Sequence, residues 1–328
     1  MQSALSFKSY IPGFAKELSV LNTALLPISD YSKRYLQHLL THRFYYLKIY
    51  AHVLDLLLLN STRHTDEMNL VDYGAGNGLL GIFAKYCGLK KVFLCDIDND
   101  FVQASEVVAN KLNISIDDFI TGDIEDVKKR LAKETIHAVI GTDVIEHIYS
   151  LDHFFAFIAE INTEMLTVFT TASNPHNFVK NRKLKKLQLQ DELQGGDPSD
   201  SVLAGAEKNE AFIVLRRKII EENFPSFNHD EVIQLSQATR GLNKPAILKA
   251  VNLLLTTGKM PEPEIHVTNT CNPLTGSWTE RILPIKKYQE IYSSNGFYLQ
   301  VHNGFYNNHA AGLKKYLNII LNIIVKIA

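Results

Sequence analysis

Cysteine, tryptophan, excess charge and long apolar runs are all scarce in this sequence, and each scarcity excludes a class of protein. Three cysteines in 328 residues cannot build a disulfide scaffold. Cys87, Cys95 and Cys271 show neither a Cys-x-x-Cys pair nor zinc-ligand spacing, so no metal site is expected from them. Cys87 and Cys95 lie in apolar stretches, where free cysteine behaves as a small buried hydrophobe; a reducing, cytoplasmic setting is expected. The 34 basic and 35 acidic residues leave a formal net charge of −1, which gives no global reason to expect a nucleic-acid partner. No uncharged apolar run reaches the roughly 18 residues of a membrane span. The nearest, between Lys315 and Lys326, is ten residues long. The opening MQSALSFKSYIPGF lacks the charged start and apolar run of a signal peptide, and no repeat or low-complexity tract is present. What remains is a globular chain long enough for one large domain or two modest ones.

Apolar spacing in the chain alternates between two periods. Residues 31–60 have helical spacing, broken at Asn60-Ser61. Five strand-like runs follow at 68–74, 91–98, 114–123, 136–143 and 165–173, with helix-like segments between them. This pattern predicts an α/β fold, a Rossmann-like, mostly parallel sheet with helices on both faces, whose ligands bind beyond the carboxyl ends of the strands. From 176 to about 260 only helical spacing is found. Asn228 and Glu231 form a capping box closed by Gly241, and Pro245 opens a second helix closed by Gly258. Residues 286–306 read as helix, glycine turn and strand. The expected divisions are an N-terminal helical segment 1–62, a core 63–175, a helical insert 176–270, and 271–328 as a return to the sheet with a C-terminal apolar helix.

The strand ends carry the chemistry. The first runs into Asp72-Tyr73-Gly74-Ala75-Gly76-Asn77-Gly78-Leu79, where glycines let the backbone turn sharply and approach a ligand. The dinucleotide fingerprint requires glycine where Leu79 stands, which argues against a nucleotide-dependent oxidoreductase. The second run ends at Asp96, 18 residues after Gly78, and the third in Thr121-Gly122-Asp123-Ile124. Singly, each aspartate reads as a turn or helix cap. Together, an acid two residues before a Gly-x-Gly-x-Gly turn and acids at the next two strand ends resemble the class I S-adenosylmethionine-dependent methyltransferases. The resemblance implies S-adenosylmethionine as cofactor. Asp72 would face its ammonium, Gly74, Gly76 and Gly78 pass along it, Asp96 take the ribose hydroxyls, and Asp123 and Ile124 flank the adenine.

The fourth run ends in Asp143-Val144-Ile145-Glu146-His147-Ile148. This string is similar to the small-molecule branch of that family, including the ubiquinone-pathway O-methyltransferases. It implies that Asp143 lies against the cofactor and that the acceptor is small or lipid-like, methylated at oxygen. His147 is the candidate base, with Glu146 beside it; both also suit a helix cap. Asp143-x-x-Glu146-His147 departs by one methylene from the metal-holding E-x-x-E-H of some relatives, and no metal is expected. His176, after the fifth run, is a second candidate base or a solvent-facing loop histidine. The cluster Lys180, Arg182, Lys183, Lys185 and Lys186 suits either an anionic partner or a solvated helix face. Residues 195–200 read as a loop that is either a lid or a passive connection. Trp278 suits an acceptor pocket and an anchor for the insert equally. The apolar tail is a candidate for packing on the N-terminal helix, for dimerisation or for peripheral membrane contact. An aminopropyltransferase and a non-catalytic cofactor-binding regulator remain open as rivals.

Overall fold

The structure, a computed structural model, describes residues 6–195, 210–264, 266–307 and 312–327. It divides into two units: residues 1–142, 155–170 and 292–328 form the first, and 143–154 with 171–291 the second. The first begins with α1 (Ile11–Glu17), α2 (Asp30–Thr41) and α3 (Arg43–Leu59). The single apolar stretch 31–60 is thus two helices. His42, at φ −107° and ψ 23°, leaves the helical region between them, although no glycine or proline marks the break. Ser29 caps α2 by accepting from Ser32 N. The α3 face of Leu47, Tyr50, Ala51, Leu54 and Leu57 is buried.

Five strands follow among the described residues: β1 (Asn69–Tyr73), β2 (Lys91–Asp96), β3 (Asp118–Thr121), β4 (Ala138–Thr142) and β5 (Leu166–Thr170). Each falls inside its expected run. They pair in the order β3-β2-β1-β4-β5, every pair parallel. Parallel strands need crossovers, supplied by α4 (Leu79–Tyr86), α5 (Asn99–Lys111), α6 (Ile124–Arg130) and α7 (Leu151–Ile161). Helices on both faces explain why Leu70, Val71, Val92, Ala138, Val139 and Ile140 have no exposed surface. The chain order reverses at β1, which lies between β2 and β4. That crevice is where such sheets bind ligands.

The second unit contains α8 (Phe178–Leu193), α9 (Phe212–Asn223), α10 (His229–Ala238) and α11 (Lys244–Thr257). Ile219, Ile220, Val232, Leu235, Ile247 and Val251 form the shared core of the last three. The expected caps are present. Asn228 Oδ1 accepts from Glu231 N at 3.0 Å while Glu231 Oε2 accepts from Asn228 N at 2.8 Å. Pro245 stands in the first turn of α11, and Gly258 ends it at φ 69°. Helix α10 stops at Ala238, short of Gly241. Of the loop at 195–200, residues 196–200 lie outside the described residues.

The expected return strand at 297–302 is not formed: β5 ends the sheet, and 297–307 contains no strand. After α12 (Ile285–Ser294) the chain turns at Gly296 and is held by aromatic burial instead. Phe297 packs on Phe155 and Tyr292, with ring centroids 5.6 and 6.2 Å apart. Tyr298 and Val301, which alternate like strand residues, are 87% and 58% exposed; with no ladder partner, alternation alone cannot make a strand. Helix α13 (Leu313–Ile327) is tied back by Asn322, whose side chain exchanges hydrogen bonds with the backbone N and O of Tyr306. No helix among the described residues is long and apolar enough to cross a membrane.

Candidate functional site

The turn after β1 closes onto the end of β2. Ala75 N donates to Cys95 O at 3.0 Å and Gly76 N to Asp96 Oδ2 at 2.8 Å, so the glycine turn and the second acid form one hydrogen-bonded unit. Gly78 must be glycine on two counts. Its φ is +77°, and a Cβ there would lie 2.7 Å from Ser105 Cβ and 2.8 Å from Leu94 Cδ1. Gly74 and Gly76 also have positive φ, 69° and 54°.

Asp72 lies beneath this turn, 1% exposed, with Oδ2 accepting from Gly81 N at 2.8 Å. Burial pushes its pKa up to about 7. The Gly81 N–H opposes that rise and the nearby Asp96 charge adds to it. Gly81 fits here only without a side chain, since its Cβ would come 2.2 Å from Leu94 Cδ2 and 3.1 Å from Asp72 Oδ2. Gly81→Ala is therefore expected to lower stability by about 1–3 kcal/mol through overpacking, measured by denaturant unfolding; an unchanged midpoint would mean that Leu94 simply turns aside.

Asp96 is half-buried. Its Oδ1 accepts from Asp98 N at 3.0 Å and its Oδ2 from Gly76 N, and burial raises its pKa above that of an ordinary carboxylate. A carboxylate offers about four lone-pair positions, so the backbone donors around it, with Ile97 N–H a further one, do not use up its accepting capacity. Asp98 is engaged in capping α5, accepting from Asp100 N at 2.9 Å. Asp123 likewise caps α6, its Oδ1 accepting from Glu125 N and Asp126 N at 2.8 and 3.4 Å. Ile124 is only 3% exposed, which leaves little side chain to pack on a ring. Sequence reading passed over Ile97, which follows Asp96 and is 76% exposed. An apolar residue between two acids at a strand end was the available signal.

Asp143, Glu146 and His147 belong to the second unit. Asp143 follows β4 at φ 51°, unusual for a residue with a side chain. Glu146 is 1% exposed; Ala172 N donates to its Oε1 at 3.2 Å, and its Oε2 has no hydrogen-bond partner. Burial, then the charges of Asp143 and Glu280, push Glu146 up to about 8. Asp143 is pushed in the same direction by its crowded surroundings and by Glu280, although the residue keeps open surface. His147 is half-buried, with Nδ1 2.8 Å from Trp278 O. A carbonyl only accepts, so Nδ1 carries a proton and, in the neutral ring, Nε2 is the nitrogen with the lone pair. Among the described residues no group of His, Cys, Asp and Glu side chains is arranged to hold a metal ion.

The remaining candidates resolve as follows. His176 is exposed on its loop, its N donating to Asn174 Oδ1 at 2.8 Å. Arg182, Lys183, Lys185 and Lys186 are exposed on α8. Trp278 acts as an anchor: it is 3% exposed, its Nε1 donates to Tyr149 O at 3.0 Å, and Arg281 lies 3.9 Å over its ring. Cys271 is buried, which pushes its thiol up to about 12 and makes it a poor nucleophile.

Comparison with known proteins bears on this core. The family model described as ribosomal protein L11 methyltransferase (PrmA) matches residues 52–157, from the second half of α3 into α7. An uncharacterized protein of Methanocaldococcus jannaschii is 36% identical over 74 residues, which cover 23% of this chain and 32% of that protein. The match thus spans about a third of the relative's length. The matched family is named for a ribosomal protein substrate. This overturns the expectation of a small-molecule or lipid-like acceptor, which rested on the Asp143–Ile148 string alone. The parallel sheet, the order of its strands and the family match agree: residues 52–157 have a Rossmann-like fold similar to the core of a methyltransferase family whose methyl donor is S-adenosylmethionine.

Proposed function

We propose that this chain transfers a methyl group from S-adenosylmethionine to a protein acceptor. The observation that carries the reading is the bonded pair of turns at the ends of β1 and β2, where Gly76 N meets Asp96 Oδ2 above the buried Asp72. In this reading the ionised Asp72 favours the ammonium of the cofactor from beneath the glycine turn. Gly74, Gly76 and Gly78 keep the backbone clear for it. Asp96 accepts from the ribose hydroxyls with its remaining lone pairs, and Ile97 offers the exposed apolar surface on which the adenine rests. Asp123, already a helix cap, accepts from the adenine amino group. The protein acceptor follows from the ribosomal protein named in the matched family.

The cofactor supplies a methyl already activated by its sulfonium, so the protein chiefly has to align the acceptor. Where the acceptor atom carries a proton, His147 Nε2 takes it. Glu146, buried and holding its own proton up to about pH 8, acts as a positioning residue by fixing the backbone at Ala172. His147→Ala is expected to lower kcat about a hundredfold with an unchanged Kd for S-adenosylmethionine. An unaltered kcat would leave His147 as a strut for Trp278. The decisive experiment is calorimetric titration with S-adenosylmethionine, S-adenosylhomocysteine and NAD, repeated on Asp96→Ala, followed by transfer of labelled methyl to ribosomal proteins. Micromolar binding of the two sulfur ligands, about −8 kcal/mol, lost in Asp96→Ala, is expected. Binding of NAD instead would sink the reading.

A further inference from the structure

We propose that α2 forms one wall of the cofactor site and that Tyr35 contacts the bound cofactor. The helix lies outside residues 52–157, the part of the chain that the family model covers, and the inference rests on the cofactor reading above. Three separate contacts place α2 on the two turns assigned to the cofactor. Asn77, within the glycine turn and 1% exposed, donates through Nδ2 to Ser32 O at 3.0 Å. Tyr35 is the neighbour that a Cβ on Gly76 would meet, its Cε1 3.3 Å away. Tyr31 and Tyr35 both pack on Phe101, with ring centroids 5.3 and 5.4 Å apart. Phe101 stands in the first turn of α5, directly after the Asp96 turn. The helix therefore spans from the end of β1 to the end of β2.

Tyr31 and Tyr35 are four residues apart and share one face of the helix. Both are half-buried rather than enclosed, so each keeps ring surface to offer. A Tyr ring brings an apolar face and a hydroxyl to the same place, which suits a ligand that is part sulfonium and part amino acid. Gly76 is the residue whose N–H holds Asp96, so the ring beside it borders the path between the two carboxylates. The Asn77 side chain supplies a further sign. Its Oδ1 is buried without a hydrogen-bond partner, a costly arrangement that a donor on a bound ligand relieves. Pure packing would explain the contacts between rings, but not a buried acceptor left open within the glycine turn.

Hydrogen exchange of the full chain with and without S-adenosylhomocysteine tests the placement, and a Tyr35→Ala and Tyr35→Phe pair tests the contact. Ligand is expected to slow exchange in 30–41 together with 74–81. Tyr35→Ala is expected to weaken S-adenosylhomocysteine at least tenfold, with Tyr35→Phe recovering the part owed to the ring. Protection confined to 74–81, or parental affinity in Tyr35→Ala, overturns the inference while leaving the cofactor reading intact. Absence of binding by the parent protein overturns the cofactor reading itself. Should Tyr35→Ala fail to fold, the exchange pattern of the parent decides.

Discussion

Asp72→Asn is expected to weaken S-adenosylmethionine binding about a hundredfold while making the ligand-free protein more stable. The two effects have one cause. Asp72 is enclosed, and burial raises its pKa from 3.8 to about 7. Between these values the folded chain holds a proton that the unfolded chain has lost, so stability falls as pH rises from about 4 to 7 and stays low above that. The difference corresponds to about 4 kcal/mol at most. Asparagine keeps an acceptor for Gly81 N–H and has no charge to bury, so the gain in Tm should be largest above about pH 7 and vanish near pH 3. The missing charge is what a cofactor ammonium uses; losing one member of such a pair costs about 3 kcal/mol, a hundredfold in Kd. Only the ionised fraction of Asp72 serves, so parental Kd should also improve roughly fivefold from pH 6 to 7, a dependence absent from the variant. Unchanged affinity in Asp72→Asn would reduce Asp72 to a support for the start of α4.

What could be read in the sequence was what local pattern determines. Each of the five strands lies inside its apolar run, because a strand buried on both faces must be apolar along its whole length. The Asn228 capping box and Gly258 formed as read, since caps are set by residues three apart and by one φ angle. The acids at the ends of β1 and β2 were visible because topology sends every parallel strand end to the same edge of the sheet. Decisions made by tertiary packing were hidden. Nothing in the residues around His42 announces the break between α2 and α3, and nothing in the sequence places Tyr35 beside Gly76, 41 residues away. The alternation in 297–302 suggested a strand, but alternation says only that a segment can be half-buried. Phe297 was buried by Phe155 and Tyr292 instead. The acceptor was misjudged for a different reason. The string Asp143–Ile148 follows a strand end, and six residues there carry no contact that selects one acceptor over another.

Arg216→Ala is expected to destabilise the protein by about 3–5 kcal/mol, a large fraction of what a domain possesses. Arg216 has no exposed surface, and its Nη2 donates to Glu192 Oε1. Its Nε donates to Ser236 O at 2.8 Å, while Glu192 Oε2 accepts from Thr270 Oγ1 at 2.7 Å. One side chain thus joins α9 to α8 and α10, and its partner extends the link to the segment before Trp278. Truncating the arginine leaves a carboxylate buried at 6% exposure without its counter-ion, and the cost is chiefly that stranded charge rather than the value of the pair. The double variant Arg216→Met, Glu192→Met separates the two. Replacing both charges with apolar groups of similar length removes the desolvation cost together with the attraction, so it should recover most of the loss. Denaturant unfolding of the parent, both single variants and the double variant gives the coupling directly. A double variant as unstable as Arg216→Ala would mean that the bonds to Ser236 and Thr270, rather than the ion pair, hold these helices together.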